Sequence, residues 1–267
     1  MTIDIDAVTT ILRETAESTI LPRFGALSED EVSEKAPGEI VTVADREAEE
    51  LIGRRLRELV DAPVVGEEAT SADPGLVRVL GSEPTAWVVD PVDGTRNFAA
   101  GDDRFAVMAA LVRGGRAVAS WILRPTEGTV HAAELGSGTW RDGVRVHRAP
   151  APADPAELRG MTQLRFLSPR ERDRVHAAVP GFALLDGGSG CVGVDYPRLL
   201  SGELDFMLFA DPTPWDHTPG GLLLTEAGGV SLRPEGTPYR PDEEGRLLLT
   251  AADETTWRTA RSLLLGA

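Results

Sequence analysis

The chain has 267 residues, 42 % of them hydrophobic, a single cysteine and a formal net charge of −16. These values describe a globular protein with one large core or two lobes sharing it, and they exclude an intrachain disulfide. The charge argues against nucleic acid or an anionic membrane as a partner, and no apolar run reaches the ~20 residues of a membrane span. The opening "MTIDIDAVTTILRE" lacks the basic segment of a secretory signal, so the expected compartment is the cytoplasm.

Residues 3–20 place Val8, Ile11, Leu12 and Thr19 on one helical face. "VTVAD" (41–45) introduces a second helix, with Asp45 as its cap and Ala48, Leu51, Ile52, Leu56 and Leu59 as its apolar stripe. "APVVGEE" (62–68) is a short buried strand ending on Gly66, Glu67 and Glu68; a polar loop and a short helix to about Leu80 follow. "AWVVD" is the next strand, and the apolar segments at 104–112, 116–123 and 128–134 read as an antiparallel meander. The Pro- and Ala-rich stretch 147–158 is the expected seam between an N-terminal lobe (1–150) and a C-terminal lobe (151–267).

Beyond the seam the elements alternate. Strands are expected near 159–164, at 182–186, at 204–209 and over "RLLLTA". Helices are expected near 168–178, over "DYPRLLSG", over "WDHTPGGLLLTEAGG", and after Asp253 with Trp257, Ala260 and Leu264 inward. Alternation of this kind implies layered helices and sheets.

The chemistry concentrates in "WVVDPVDGTRNF" (87–98). Pro91 interrupts the strand and biases Asp90 toward an extended backbone, so Asp90 and Asp93 can address one point. Gly94 admits a backbone conformation closed to other residues, and a helix starting near Thr95 would present free N–H groups to an anion. Carboxylates beside an anion site require intervening cations, and hard oxygen ligands select Mg²⁺. Asp-Pro and Asp-Gly are also ordinary turn dipeptides. The acidic element ends at Asp45, Glu67, Glu68 and Asp216 raise the weight of the metal reading. His131, His147, His176 and His217 fit no zinc spacing.

"VTVAD", "GEE", "WVVDPVDGTRNF" and "PWDHTPGGLLLTEAGG" stand in the order and spacing of the inositol monophosphatase family, which the chain resembles from about Lys35 to its last helix. The resemblance implies a layered αβαβα sandwich, a homodimer and a Mg²⁺-dependent, lithium-sensitive phosphatase with two to three ions. Asp90 would bridge two metals, Glu67 and the Val92 carbonyl would complete the first site, and Asp93 and Asp216 the second. Thr95 and Asp45 would take the proton from the attacking water. Asp93, Gly94, Thr95, Gly190, Cys191, Val192, Phe209 and Asp216 would line the substrate, a small metabolite phosphate ester. Lys35 aligns with a lysine on a mobile loop near the metals.

One position departs from the inositol enzymes, which read sugar hydroxyls with a glutamate a few residues before the Trp-Asp pair. Here that position is Phe209, with Asp211 the nearest carboxylate. The departure turns the expectation from inositol 1-phosphate toward a less hydroxylated ester of the histidinol-phosphate type. Relatives acting on fructose 1,6-bisphosphate or 3′-phosphoadenosine 5′-phosphate, and a catalytically silent binding protein, are the alternatives.

Overall fold

In the computed structural model, which describes residues 3–36 and 38–266, the chain begins with α1 (Ile5–Thr15), capped by the Asp4 side chain on the Ala7 N–H. The strands β1 (Val32–Ala36) and β2 (Glu39–Thr42) pair antiparallel and feed α2 (Val43–Leu59). β3 (Val64–Gly66), the six-residue α3 (Glu67–Ala72) and α4 (Val79–Ser82) lead to β4 (Thr85–Asp93) and α5 (Thr95–Ala99). An antiparallel run follows: β5 (Ala106–Arg113), β6 (Arg116–Arg124), β7 (Thr129–Glu134), β8 (Gly138–Arg141) and β9 (Val144–Val146).

After the 147–158 stretch come β10 (Arg159–Thr162), α6 (Pro169–Ala178), β11 (Leu184–Asp186), α7 (Val192–Ser201) and β12 (Phe206–Phe209). The chain closes with α8 (Pro214–Glu226), β13 (Val230–Leu232), β14 (Leu248–Ala251) and α9 (Glu254–Leu265). β3 to β9 form a seven-stranded sheet, and the second sheet has five strands in the order β11-β10-β12-β14-β13.

Strand side chains alternate between faces, and that alternation sets the layers. On β4 and β5, Trp87, Val89, Val107, Ala109 and Leu111 pack on α1 and α2 with Val8, Leu12, Ala48, Ile52 and Leu56. Ala106 and Met108 point the other way, into a core shared with α7 and α8 (Leu199, Leu223) and with Met207 and Phe209 of β12. Phe206 and Leu208 of β12 face outward onto α6 and α9, with Val175, Trp257, Ala260 and Leu264. The stack is therefore helix, sheet, helix, sheet, helix: the expected αβαβα sandwich. α7 and α8 are its central layer, and they bridge both sheets.

Several local expectations are corrected. Thr42, not Asp45, caps α2; Asp45 sits three residues inside and closes a capping box with it. Leu59 lies outside the apolar stripe, at 40 % exposure. Glu67 and Glu68 do not end β3 but open α3, so the "polar loop" is partly helical. The β1–β2 pair and the short strands β8, β9 and β13 have no counterpart in the sequence reading.

Candidate metal and phosphate site

The site is built first by a defect in β4. Asp90 pairs with Met108 and Asp93 with Ala106, so three steps on β4 match two on β5. Residues three apart on a regular strand face opposite sides; the extra bulge residue returns Asp93 to the face of Asp90. Both carboxylates are thereby delivered to the central layer, where α8 brings Asp216 in its first turn. One carboxylate oxygen from each of Asp90, Asp93 and Asp216 lies within 4.8 Å of the other two.

Burial pushes all three carboxyls up: Asp90 and Asp216 well above the usual range, Asp93 to about 7. The negative charge of Glu67 adds to the effect at each. Asp93 is partly relieved by the Gly193 N–H at 2.5 Å, which it accepts together with the Cys191 thiol at 3.1 Å. No ion pair to any of the three is seen among the described residues. Three crowded carboxylates, two buried and Asp216 half-buried, without a counter-charge are a donor set that fits a hard divalent cation.

Glu67 stands near this cluster, outside the group of mutually close oxygens, because β3 runs parallel to β4 with Gly66 opposite Val89, which sets Glu67 beside Asp90. Its Oε1 accepts from Lys35 Nζ at 2.6 Å, and the same ammonium donates to Glu68 Oε1 at 2.7 Å. Burial works against the Lys35 charge, yet the two glutamates outweigh it and hold the ammonium firmly protonated. Lys35 therefore stands on β1, tied to both glutamates.

The turn after β4 supplies the second group. Gly94 has φ +85°, and a Cβ there would lie 2.9 Å from both the Arg104 carbonyl oxygen and the Cys191 Cβ. From this turn Thr95 opens α5, whose first N–H groups have no partner within so short a helix. The Thr95 hydroxyl lies 3.0 Å from Asp45 Oδ1 and 3.0 Å from the Val92 carbonyl oxygen. The other Asp45 oxygen accepts from the Thr42 N–H at 2.8 Å and the Thr42 hydroxyl at 2.5 Å. Burial lifts the Asp45 carboxyl to about 6, with the Thr42 hydrogen bonds opposing the rise.

The remaining predicted residues divide. Gly190 (φ +79°) is exposed and faces the Asn97 side chain, whose amide donates to the Ser189 carbonyl at 3.1 Å. Cys191 and Val192 are buried at the start of α7, with the thiol turned onto Asp93. Phe209 is 2 % exposed; its ring packs between Tyr196 and His217, at 6.3 and 4.3 Å between centroids. It belongs to the central core, because the alternation of β12 turns it toward the central layer. His217 is buried, accepts or donates at Nδ1 with the Tyr196 hydroxyl at 3.2 Å, and is driven by burial to about 3, hence neutral. Trp215 packs beside Val65, Leu80 and Val88. Glu226 takes the Gly136 and Gly138 N–H groups, both at 2.9 Å, and anchors the β7–β8 turn.

Sequence reasoning missed Glu49, whose oxygens accept the Glu68 and Ala69 N–H groups. Its only linear signal is its spacing of one helical turn from Asp45.

The sequence profile of the inositol monophosphatase family matches residues 4–264. The chain is 30 % identical over 235 residues to an inositol-1-monophosphatase of Rhizobium meliloti, covering 84 % of this chain and 83 % of that protein. It is 30 % identical over 236 residues to a histidinol-phosphatase of Chlorobaculum parvum, covering 88 % and 87 %. The solved structure of a Thermotoga maritima IMPase superposes with a TM-score of 0.80 at 22 % identity, over 98 % of this chain and 96 % of that one. The chain belongs to the inositol monophosphatase family, a family of phosphoric monoester hydrolases.

Proposed function

We propose that the protein is a Mg²⁺-dependent phosphomonoesterase that hydrolyses a small metabolite phosphate. The observation that carries the reading is the meeting of the Asp90, Asp93 and Asp216 carboxylates, within 4.8 Å of one another, on the β4 end that leads into the Asp45–Thr95 pair. Asp90, Asp93, Asp216, Glu67 and the Val92 carbonyl would hold the metal, two to three ions in all. Bound Mg²⁺ would supply the positive charge that stabilises the phosphoryl oxygens and acidifies a nearby water.

The chain's own groups do the rest. The free N–H groups at Gly94 and Thr95 orient the phosphate. A water proton passes to Thr95 Oγ1 as the Thr95 hydroxyl proton passes to Asp45 Oδ1, and the Thr42 hydrogen bonds keep that carboxylate aimed. A carboxyl near 6 is mostly ionised at neutral pH, and so able to accept.

The substrate is of the inositol-phosphate or histidinol-phosphate type, because both kinds of enzyme stand among the relatives. We read the buried Phe209 as core rather than a selector, and take Asn97, beside the Gly190 loop, and the exposed Asp211, after β12, as the polar side chains for that role. The family resemblance also implies a cytoplasmic homodimer. The test is phosphate release from inositol 1-phosphate, histidinol phosphate, fructose 1,6-bisphosphate and 3′-phosphoadenosine 5′-phosphate, with and without Mg²⁺. Mg²⁺-dependent turnover of one of the first two supports the reading; no turnover of any ester contradicts it.

A further inference from the structure

α3 is six residues long and starts on Glu67, yet its N-cap, Gly66, has no side chain to cap it. The first-turn N–H groups are satisfied instead from another helix. Glu49 of α2 accepts the Glu68 N–H at Oε2 (2.8 Å) and the Ala69 N–H at Oε1 (2.9 Å). A carboxylate that accepts two backbone N–H groups fixes both the position and the rotation of the turn it caps.

The fit leaves no slack. A Cβ on Gly66 would stand 2.3 Å from the Glu49 carboxylate, so the glycine is what admits the glutamate. Glu49 and Asp45 are four residues apart on α2 and share its inner face. Glu67, the residue that this capped turn orients, enters beside Asp90 through the Gly66–Val89 pairing. One helix face thus carries both the proton acceptor and the clamp on Glu67.

We propose that Glu49 is a positioning residue for the divalent-cation site: it caps α3 so that the Glu67 carboxylate is held toward Asp90, and it sets cation affinity rather than the chemical step. The proposal rests on the phosphatase reading above. Partners that orient a metal ligand typically govern affinity by 10–100-fold. A Gln at this position keeps one acceptor but opposes an NH₂ to the other N–H donor.

The experiment is calorimetric titration of the metal-free protein with Mg²⁺, alongside the Mg²⁺ dependence of phosphate release, for wild type, Glu49→Gln, Gly66→Ala and Glu50→Gln. Glu50, exposed and one residue on, controls for the lost charge. Expected are a ~10–100-fold weaker Mg²⁺ affinity in Glu49→Gln and in Gly66→Ala. Their kcat at saturating Mg²⁺ should stay within about twofold of wild type, and Glu50→Gln should bind as wild type does. Unchanged affinity in a folded Glu49→Gln, or an equal loss in Glu50→Gln, overturns the proposal while wild-type turnover stands. If Glu49→Gln does not fold, Gly66→Ala decides by the same criteria. A wild type that neither binds Mg²⁺ nor hydrolyses an ester overturns the phosphatase reading itself, and this inference with it.

Discussion

The Thr95 hydroxyl lies 3.0 Å from Asp45 Oδ1, across 50 residues of sequence. Two capping arrangements bring them together. Thr42 and Asp45 close the start of α2, and Gly94 turns the chain so that Thr95 opens α5. If this pair moves the proton, Asp45→Asn and Thr95→Ala should each lower kcat by about 10²–10⁴-fold, the usual worth of a positioned acid–base group. Steady-state kinetics at saturating Mg²⁺ measures this, and Mg²⁺ affinity should change far less than kcat.

The buried carboxyls make stability depend on pH. Burial raises Asp45 to about 6 and Asp93 and Glu68 to about 7 in the folded, metal-free protein. A raised folded value means that the proton is bound more tightly in the fold. The stabilisation is complete below the ordinary carboxylate range and is lost as pH climbs from about 4 to 7. Thermal melts of metal-free protein should therefore show a downward trend in Tm over that window that is shallower in Asp93→Asn. Each kcal/mol is worth about 2–4 °C in a chain of this size. Saturating Mg²⁺ should reverse the trend, since it needs the ionised carboxylates.

Lys35 ties β1 to α3 through Glu67 and Glu68 at 2.6 and 2.7 Å. Hydrogen bonds to charged groups are worth about 1.5–3 kcal/mol. Lys35→Gln should raise amide exchange over residues 32–42 by about 10–100-fold while leaving the strands of the seven-stranded sheet protected. Hydrogen exchange with mass-spectrometric readout checks this.

Gly94→Ala meets both a left-handed backbone, φ +85°, and contacts of 2.9 Å. The conformation alone costs about 1–2 kcal/mol. Calorimetry should show a fall in Tm of several degrees, together with a loss of turnover from the displaced α5 turn.

Phe209 is core, 2 % exposed. Phe209→Leu should lower stability by about 1–2 kcal/mol through lost volume. The kcat/KM ratio between inositol 1-phosphate and histidinol phosphate should stay within about twofold. A shifted ratio would restore a role for this position in substrate choice.

Legibility in the sequence followed the length and purity of each pattern. β4 and α8 were readable because a long apolar run meets carboxylates and glycines at fixed spacing. The central layer followed only from the family resemblance, since it depends on which face of β12 carries Phe209, and a strand read alone has no inside. β1 and β2 were missed because "VSEKA" and "EIVT" carry little alternation; Lys35 and the capping box at Thr42 hold them in place. The carboxylate cluster was foreseeable from "DPVDGT", but the bulge that turns Asp93 to the side of Asp90 exists only in the pairing with β5. Glu49 left only its one-turn spacing from Asp45, because its partners are backbone N–H groups of another helix.

The most direct measurement is Mg²⁺-dependent phosphate release by wild type and Asp90→Asn, with Mg²⁺ binding followed by calorimetry on the same samples. Asp90 sits 1 % exposed at the centre of the carboxylate cluster. The account predicts Mg²⁺ binding and turnover in wild type, and loss of both in a variant that stays folded. Full Mg²⁺-dependent turnover in Asp90→Asn would place the chemistry elsewhere and contradict it.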